Sequence, residues 1–239
     1  MRIWPVASAL TVGGNVAIEG ADARHITGVL RLGPGDVIKI ADSAGKPFLA
    51  KIETANKTSV AAVVLREADA GGLRKPDISL GVAISKAPVM ELVVQKAVEL
   101  GCAGLYPLVT ERSVGETLSP AKLARLRRIA HEACKQCGRA DEMTVHEPVP
   151  LESLPEAEMK IFLWEDERNI SLKVLLRTAE KVESVLALVG PAGGFSAEEA
   201  GLLHKSGVRS AGLGPLILRT ETAAIALAAL LDYHFCKLE

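Results

Sequence analysis

The sequence predicts an α/β protein in which a small β-rich domain precedes a larger domain with a mainly parallel sheet. Residues 1–70 carry short β-branched runs separated by turn residues, and strand and helix patterns alternate from residue 77 onward. Such alternation is typical of a parallel sheet with crossover helices. Between the two regions, residues 71–76 contain Gly-Gly and end in proline. We therefore expect a domain at 1–70, a linker at 71–76 and a second domain at 77–239.

The first domain has the pattern of a small β-barrel. Alternating or β-branched runs predict strands at 37–40, 48–52 and 59–65. The segments between them, 42–46 and 54–57, have the composition of turns. Ahead of the strands, residues 22–31 predict one short helix, because Gly-Pro-Gly at 33–35 stops the pattern. Closure into a barrel is the expected way to bury the apolar faces of these strands.

The second domain is predicted to alternate strands and helices along its whole length. The predicted strands are 78–84, 104–109, 161–164, 185–189 and 207–211, and the predicted helices are 89–100, one that starts at Pro120 with Ser119 as its cap, 172–178 and 220–237. The last helix is apolar on nearly every side, so we expect it to be buried all round. In a domain of this size the simplest burial is across a subunit interface, and we therefore expect a C2 homodimer.

Two glycine-rich loops near the C-terminus are the main functional signal. One, at 190–196, follows an apolar strand and ends in a helix capping box, and the other, at 212–219, leads into the last helix. In a parallel sheet both loops leave the carboxyl edge, where open α/β sheets bind ligands. Glycine allows backbone groups to close directly on a flat ligand. Neither loop fits G-x-G-x-x-G or a P-loop, which argues against a dinucleotide held by its pyrophosphate and against a nucleoside triphosphate.

The residues of these loops resemble a known family. Gly190-Pro191-x-Gly193-Gly194-Phe195-Ser196, followed by Leu213-Gly214-x-x-Ile217-Leu218-Arg219-Thr220-Glu221-Thr222-Ala223, is similar to the RsmE family of 16S rRNA uridine N3-methyltransferases, of the SPOUT class. The resemblance covers nearly the whole chain. It implies S-adenosylmethionine as cofactor, a PUA-like barrel for the first domain, a homodimer and a C-terminal trefoil knot. A knot is a rare exception to chain topology, and periodicity alone would not predict one.

The resemblance also implies the residues of the site. The implied cofactor-binding positions are Leu163, Leu188, Gly190, Pro191, Gly193, Gly194, Leu213, Gly214, Ile217, Leu218 and Thr222. Arg219 is the catalytic candidate for stabilising the uracil anion, although an ion pair with Glu221 is an alternative role. Glu221 is the second catalytic candidate, either as acceptor of the N3 proton or as the residue that holds Arg219. Thr220 is expected to cap the last helix.

Any RNA site must be a local basic patch, because the net charge is only −1. Segment 119–139 carries six basic residues and one acidic residue, and four of the basic ones share a helix face. The candidate RNA contacts are Arg24, His25, Arg31, Arg112, Arg125, Arg128, Lys135 and Arg139. For the candidates on helices, the alternative is a solvated face that contacts no RNA.

Composition argues against several other classes. The chain is 49% hydrophobic, yet no uncharged run reaches the ~20 residues of a membrane span. Its start lacks the apolar region of a signal peptide, and four cysteines are typical of a reducing cytoplasm. Cys134 and Cys137 are spaced like a redox or zinc pair, but no second Cys/His pair completes a metal site. We expect a cytoplasmic protein with no metal and no membrane partner.

Two positions depart from the family pattern. Ala192 stands where a glutamate is usual, and Leu216 stands where an arginine is common. A joint replacement of one buried acid–base pair would explain both, since losing one partner alone costs ~3–5 kcal/mol. Two further interpretations stay open. The chain could be a catalytically inactive SPOUT homologue that binds rRNA as an assembly factor, or a methyltransferase that acts on a different RNA.

Overall fold

The chain forms two compact units. A computed structural model describes residues 3–68, 76–113, 117–139, 141–177, 179 and 182–235. One unit comprises Met1–Gly72 and Cys134–Glu142, and the other comprises Leu73–Ala133 and Met143–Glu239. Apart from Pro76, the linker expected at 71–76 lies outside the described residues. The grouping of Cys134–Glu142 with the first unit has no counterpart in the sequence pattern.

The first unit contains a five-stranded sheet in the order β1-β3-β4-β5-β2. Its elements are β1 (Ile3–Pro5), β2 (Asn15–Glu19), α1 (Gly20–Arg24), β3 (Val37–Ala41), β4 (Pro47–Ala55) and β5 (Ser59–Glu67). The three predicted strands correspond to β3, β4 and β5, of which β4 and β5 run further than predicted. Alternate residues of these strands face one core, in which Trp4, Ile40 and Phe48 are at most 2% exposed.

The short helix predicted over 22–31 is observed as one helical stretch over 20–29, and the second half of it is π-helical. Helix α1 ends at Arg24, and a π-helical turn follows at His25–Val29. The Thr27 hydroxyl donates to the carbonyl of Ala23 at 2.9 Å, which is the carbonyl that the Thr27 N–H would use in an α-helix. Arg31 then adopts a φ of 57°, in the left-handed region that non-glycine residues rarely occupy, and the Leu32 N–H donates to the carbonyl of Ile26 at 3.0 Å.

The second sheet is parallel throughout, in the order β12-β10-β11-β6-β7-β8, with β9 also paired to β7. The strands are β6 (Asp77–Ala83), β7 (Gly104–Val109), β8 (Thr144–Val145), β9 (Val149–Pro150), β10 (Met159–Leu163), β11 (Ser184–Val189) and β12 (Arg209–Ala211), and the helices that follow α1 are α2 (Ala87–Glu99), α3 (Pro120–Cys137), α4 (Leu172–Arg177), α5 (Ala197–Lys205) and α6 (Thr220–Phe235). The predicted α/β fold with a parallel sheet is confirmed.

Strand β11 lies inside this sheet, and its sequence shows why. Residues 185–189 are all buried, as expected for a strand that is covered on both faces. Leu186 and Leu188 pack in a cluster with Leu203 of α5. Helix α6 packs against α2, β6 and β11.

Helix α6 is only partly buried in the single chain, so its expected burial across a subunit interface stays a prediction. One face, which includes Ala224 and Leu227, is fully buried, but Leu230 is 42% exposed and Tyr233 is 72% exposed. The helix is apolar on nearly every side, so part of its apolar surface remains uncovered within one chain.

The sheet brings the loops after β10, β11 and β12 to a single edge. Because all of these strands run parallel, their carboxyl ends lie on the same side of the sheet. Strand β10 lies between β11 and β12, so the two glycine-rich loops leave strands that are not adjacent. The predicted common edge is confirmed, and the intervening strand is an addition that the sequence pattern does not supply.

Candidate functional site

The loop after β11 is a tight turn that exposes main chain. Gly194 has a φ of 68°, in the left-handed region that favours glycine, and its N–H donates to the carbonyl of Pro191 at 2.9 Å. Gly190 is buried, and a Cβ added there would lie 3.0 Å from the backbone nitrogen of Phe195. Gly193, at the tip of the turn, is exposed. Larger residues at Gly190 or Gly194 would therefore displace the backbone of this loop.

The segment after β7 is tied to the same loop at two points. Ser196 and Glu199 form the predicted capping box at the start of α5, with bonds of 3.2 and 2.9 Å. The other oxygen of Glu199 accepts the N–H of Glu111 at 2.7 Å. The guanidinium of Arg112 donates to the carbonyl of Gly193. One carboxylate therefore both caps a helix and anchors a neighbouring loop.

Two backbone hydrogen bonds join the loop after β12 to the segment after β10. The Gly212 N–H donates to the carbonyl of Ile170 at 2.8 Å, and the Gly212 carbonyl accepts the N–H of Leu172 at 2.9 Å. A Cβ added to Gly212 would lie 2.8 Å from the carbonyl oxygen of Glu167, closer than real Cβ atoms approach. Further along, Gly214 has a φ of 119°. Only glycine fits both positions without a shift of the main chain.

Thr220 joins the two glycine-rich loops. Its side chain is buried, and its hydroxyl donates to the carbonyl of Gly190 at 3.2 Å. The Ala223 N–H donates to the carbonyl of Arg219 at 2.8 Å, so Arg219 supplies the first helical carbonyl and Thr220 lies inside α6. The prediction that Thr220 caps α6 is wrong, because its hydroxyl is used for the contact between the loops.

Two glutamates of the segment after β10 lie against these loops. Glu165 Oε1 is 2.9 Å from the position that a Cβ on Gly194 would take. Glu167 accepts the Ser210 hydroxyl at 2.6 Å and two backbone N–H groups. These hydrogen bonds, that from Ser210 above all, hold the pKa of the Glu167 carboxyl below its usual range. Sequence reasoning placed Leu163, just before this segment, at the cofactor but gave neither glutamate a role; the acidic run after the strand is the signal that could have found them.

The two predicted catalytic side chains stand at the start of α6. Arg219 is exposed and Glu221 is half-buried. Among the residues that the structure describes, neither the guanidinium nor the carboxylate has a hydrogen-bond or ion-pair partner. The alternative role of Arg219, an ion pair with Glu221, is therefore not seen, and the guanidinium is available to a ligand.

The predicted cofactor positions differ in accessibility. Leu188 is 0% exposed, and its side chain belongs to the core of the sheet rather than to the edge. Leu163, Leu213 and Leu218 are half-buried. Ile217 is 81% exposed, and Thr222 is exposed on α6. Most of these side chains are thus at least partly accessible, whereas the side chain of Leu188 is not.

Several of the predicted RNA contacts are already used within the protein. Arg125 donates to both oxygens of Glu91, at 2.6 and 2.9 Å, which lowers the pKa of that carboxyl. Lys135 is only 5% exposed, and its ammonium contacts both oxygens of Asp22, at 2.8 and 3.1 Å. Arg139 donates to Asp141 at 2.6 Å, and Arg112 donates to Gly193 as described above. The burial of Lys135 argues against direct phosphate contact by that ammonium.

The remaining predicted RNA contacts include three exposed arginines. Arg24, Arg31 and Arg128 are exposed, and in the described part of the chain their guanidinium groups make no hydrogen bond or ion pair. His25 is half-buried beside Trp4, with the ring centroids 5.5 Å apart. Of the predicted RNA contacts, Arg24, Arg31 and Arg128 are therefore the ones that no other described residue engages.

The explanation offered above for Ala192 and Leu216 is wrong. Ala192 is exposed, and Leu216 is 77% exposed. A charged residue at either position would face water in this chain, so the two residues do not replace a buried pair. Nothing in the structure explains the two departures.

The described ranges contain neither a metal-binding cluster nor a helix that could span a membrane. There, no group of three or more His, Cys, Asp or Glu residues could hold a metal ion. The helices of the same residues are all too short or too polar to span a membrane.

Two family models match the chain and agree with this architecture. An RNA methyltransferase domain matches residues 73–232, which contain the parallel sheet and both glycine-rich loops. An RNA methyltransferase PUA domain matches residues 18–65, within the five-stranded sheet. The fold and the site therefore define an RNA methyltransferase that carries a PUA domain.

Relatives narrow this class. A ribosomal RNA small subunit methyltransferase E from Aquifex aeolicus (strain VF5) is 33% identical over 190 residues, which cover 78% of this chain and 81% of the relative. The protein of the same name from Bacillus subtilis (strain 168) is 25% identical over 229 residues, which cover 91% and 90%. The chain belongs to the ribosomal RNA small subunit methyltransferase E family, the family that its loop residues resemble.

Solved structures of similar proteins agree with this family assignment. A ribosomal RNA small subunit methyltransferase E from Neisseria gonorrhoeae, bound to S-adenosyl methionine, matches all of both chains with a TM-score of 0.89 and 28% identity. A putative methyltransferase from Legionella pneumophila, in complex with the same cofactor, matches 97% of both chains with a TM-score of 0.84 and 29% identity. The fold expected of the SPOUT class, a parallel α/β sheet with a PUA domain, is confirmed.

Proposed function

We propose that this protein transfers a methyl group from S-adenosylmethionine to N3 of a uridine in 16S rRNA. The observation that carries the proposal is the pair of glycine-rich loops, joined by the bond from Thr220 to Gly190. Directly before α6, the guanidinium of Arg219 has no hydrogen-bond or ion-pair partner among the described residues. Two structural relatives were solved with this cofactor, and the named sequence relatives are methyltransferases of ribosomal RNA of the small subunit.

The residues at this edge fit the cofactor. Gly190, Gly194, Gly212 and Gly214 are sites where a side chain would either meet backbone or neighbouring atoms or require a left-handed conformation. A flat ring can therefore lie directly against main chain. We assign the adenine to the main chain of residues 188–194 and 213–218, with Leu163 and Thr222 at the border of the site. This assignment keeps Leu188 as a main-chain contact only, as its burial requires.

When bound, S-adenosylmethionine supplies an electrophilic methyl group. The protein then aligns the target base and promotes removal of the proton from N3. Uracil N3–H is a weak acid, and a guanidinium beside O2 or O4 stabilises the negative charge that develops as the proton leaves. We assign this role to Arg219, and we assign acceptance of the proton to Glu221. Because N3 lies on the Watson–Crick edge, the target uridine must be unpaired or extruded.

RNA binding is proposed for the arginines that have no partner in the described residues. Arg24 and Arg31 lie in the unit with the PUA domain, and Arg128 lies on α3. Exposed guanidinium groups are suited to phosphate contacts, which provide most of the affinity of such complexes. His25 and Arg112 are secondary candidates, whereas Arg125, Lys135 and Arg139 already pair with carboxylates.

The decisive experiment combines calorimetry with reverse transcription. Purified protein should bind S-adenosylmethionine, and 16S rRNA from a strain that lacks the protein should gain one methyl group at one uridine. An N3-methyl group blocks base pairing, so the new methyl appears as a single stop that depends on the cofactor. Arg219→Ala should lower the rate by about 10²-fold or more and change cofactor affinity little. Absence of cofactor binding, or a methyl group on another atom, would refute the proposal.

The same family assignment leads to three further proposals. We propose a homodimer that covers the exposed face of α6 with Leu230 and Tyr233, and a monomer in light scattering at micromolar concentration would exclude it.

We also propose a trefoil knot, because Gly212 pairs with the segment after β10 and α6 then packs beyond β10, against β11 and β6. A crystal structure traced through 164–235 tests that path. A ribosomal substrate further leads us to infer a cytoplasmic location, which fractionation would test.

A further inference from the structure

A chain of three polar side chains links α5, β12 and the segment after β10. The hydroxyl oxygen of Ser210, on β12, lies 2.6 Å from Oε2 of Glu167 and 3.0 Å from Nε2 of His204, on α5. Ser210 is 4% exposed, so water does not compete freely for these bonds. The His204 ring lies beside Phe162 and Trp164, at centroid distances of 5.2 and 6.0 Å.

One assignment of protons satisfies all three groups. An ionised carboxylate only accepts, and a serine hydroxyl has a single proton to donate. The Ser210 hydroxyl therefore donates its hydrogen bond to Glu167, and the Ser210 oxygen accepts a hydrogen bond from Nε2–H of His204. In this arrangement His204 orients the serine and the serine orients the carboxylate.

The other oxygen of Glu167 fixes a turn. It accepts the N–H groups of Asn169 and Ile170 at 2.9 and 3.0 Å. The carbonyl of Ile170 in turn accepts the N–H of Gly212, and the carbonyl oxygen of Glu167 itself lies 2.8 Å from the space a Cβ on Gly212 would need. Glu167 thus shapes the surface against which the second glycine-rich loop begins.

We propose that Glu167 is a positioning residue for the cofactor loop after β12, and that Ser210 and His204 hold its carboxylate in place. The inference rests on the proposed function, because the loop is assigned to S-adenosylmethionine there. Glu167 acts through Gly212 and need not touch the cofactor. Arg219 is held separately by α6 and the bond from Thr220 to Gly190. Loss of the Glu167 carboxylate should therefore weaken cofactor binding more than the chemical step.

The first test uses Glu167→Gln. A glutamine has one oxygen, so it cannot accept both the Ser210 hydroxyl and the two backbone N–H groups. We expect the Kd for S-adenosylmethionine, measured by calorimetry, to rise roughly tenfold, because bonds to a charged acceptor are lost. The kcat at saturating cofactor should change by less than about twofold. Amide hydrogen exchange at Ile170 and Gly212 should become faster in the protein without cofactor.

A second variant and a matched control separate positioning from general stability. Ser210→Ala keeps the backbone bonds of Glu167 and should raise the Kd in the same direction by a smaller factor. Glu158 is the control, because its carboxylate accepts the N–H of Glu183 at 2.9 Å at the opposite edge of the same strands. Glu158→Gln should leave the Kd for S-adenosylmethionine and the exchange at Gly212 unchanged.

Two results would overturn the inference. One is an unchanged Kd in Glu167→Gln and Ser210→Ala, when the wild-type protein binds the cofactor. The other is unchanged amide exchange at Ile170 and Gly212. If the wild-type protein does not bind S-adenosylmethionine, the proposed function fails, and the exchange measurement still decides whether Glu167 holds the loop. If Glu167→Gln does not fold, Ser210→Ala provides the same two measurements.

Discussion

Gly212→Ala tests the packing on which the second loop depends. The added methyl group would lie 2.8 Å from the carbonyl oxygen of Glu167, and this neighbour is main chain rather than the end of a flexible side chain. The backbone at Gly212 cannot shift without weakening hydrogen bonds, because its N–H and its carbonyl both bond to the segment at 170–172. The loop or the facing turn must therefore shift.

The size of the effect follows from ordinary overpacking. Extra methyl groups in a tightly packed site cost about 1–3 kcal/mol, and a chain of this size loses about 2–4 °C in Tm per kcal/mol. Gly212→Ala should thus lower Tm by about 2–12 °C in thermal unfolding. A shift of the loop should also raise the Kd for S-adenosylmethionine in calorimetry by about tenfold or more.

The matched control is Gly201→Ala. Gly201 lies inside α5, has a helical neighbourhood, and a Cβ there would meet nothing within 4 Å. Alanine should stabilise this helix by about 0.5–1 kcal/mol and leave the Kd unchanged. Equal Tm and Kd values for wild type and Gly212→Ala would refute the packing argument. A lower Tm with an unchanged Kd would separate this glycine from the ligand site.

Three further outcomes are expected. Thr220→Val removes the hydroxyl bond between the loops and should cost about 1 kcal/mol, measured as a Tm lower by about 2–4 °C. Arg128→Ala should reduce the slope of log affinity for rRNA against log salt by about 0.7–0.9, whereas the buried Lys135→Ala should lower Tm and keep that slope; equal slope changes in filter binding would contradict the burial argument. The pKa of Glu167 is lowered from its ordinary 4.5, so its contribution to stability is full above that pH and is lost as the pH falls through the lowered pKa. The Tm difference between wild type and Glu167→Gln should therefore be constant from about pH 5 to pH 8 and shrink at lower pH.

Local chemistry predicted strands β3 to β7 and β10 to β12 and the common edge of the glycine-rich loops, but not β1, β2, β8 or β9. β-Branched runs and turn residues located the sheets, since these signals lie in contiguous residues. The capping box of Ser196 and Glu199 was likewise readable, because both partners lie within one helical turn. The same local patterns could not show that Glu199 also binds Glu111.

The failures concern contacts between distant residues. Threonine is a typical N-cap residue, yet the hydroxyl of Thr220 donates a hydrogen bond to the carbonyl of Gly190, 30 positions earlier in the chain. Lys135 has the spacing of a solvated basic face, yet it meets Asp22, 113 residues away. The network of Glu167 and Ser210 is equally non-local, since the two residues are 43 positions apart in the chain. Periodicity carries no information about such pairs, and the relevant partner becomes visible only in three dimensions.

The position of β10 between β11 and β12 has a geometric consequence. Neighbouring strands are held about 4.8 Å apart by their main-chain hydrogen bonds, so two strands separated by a third are about 9.6 Å apart. That width is a property of the peptide ladder and not of any side chain. Point substitutions can reshape the two glycine-rich loops, but the backbone sets the distance between β11 and β12. Only a change in strand order could alter that distance.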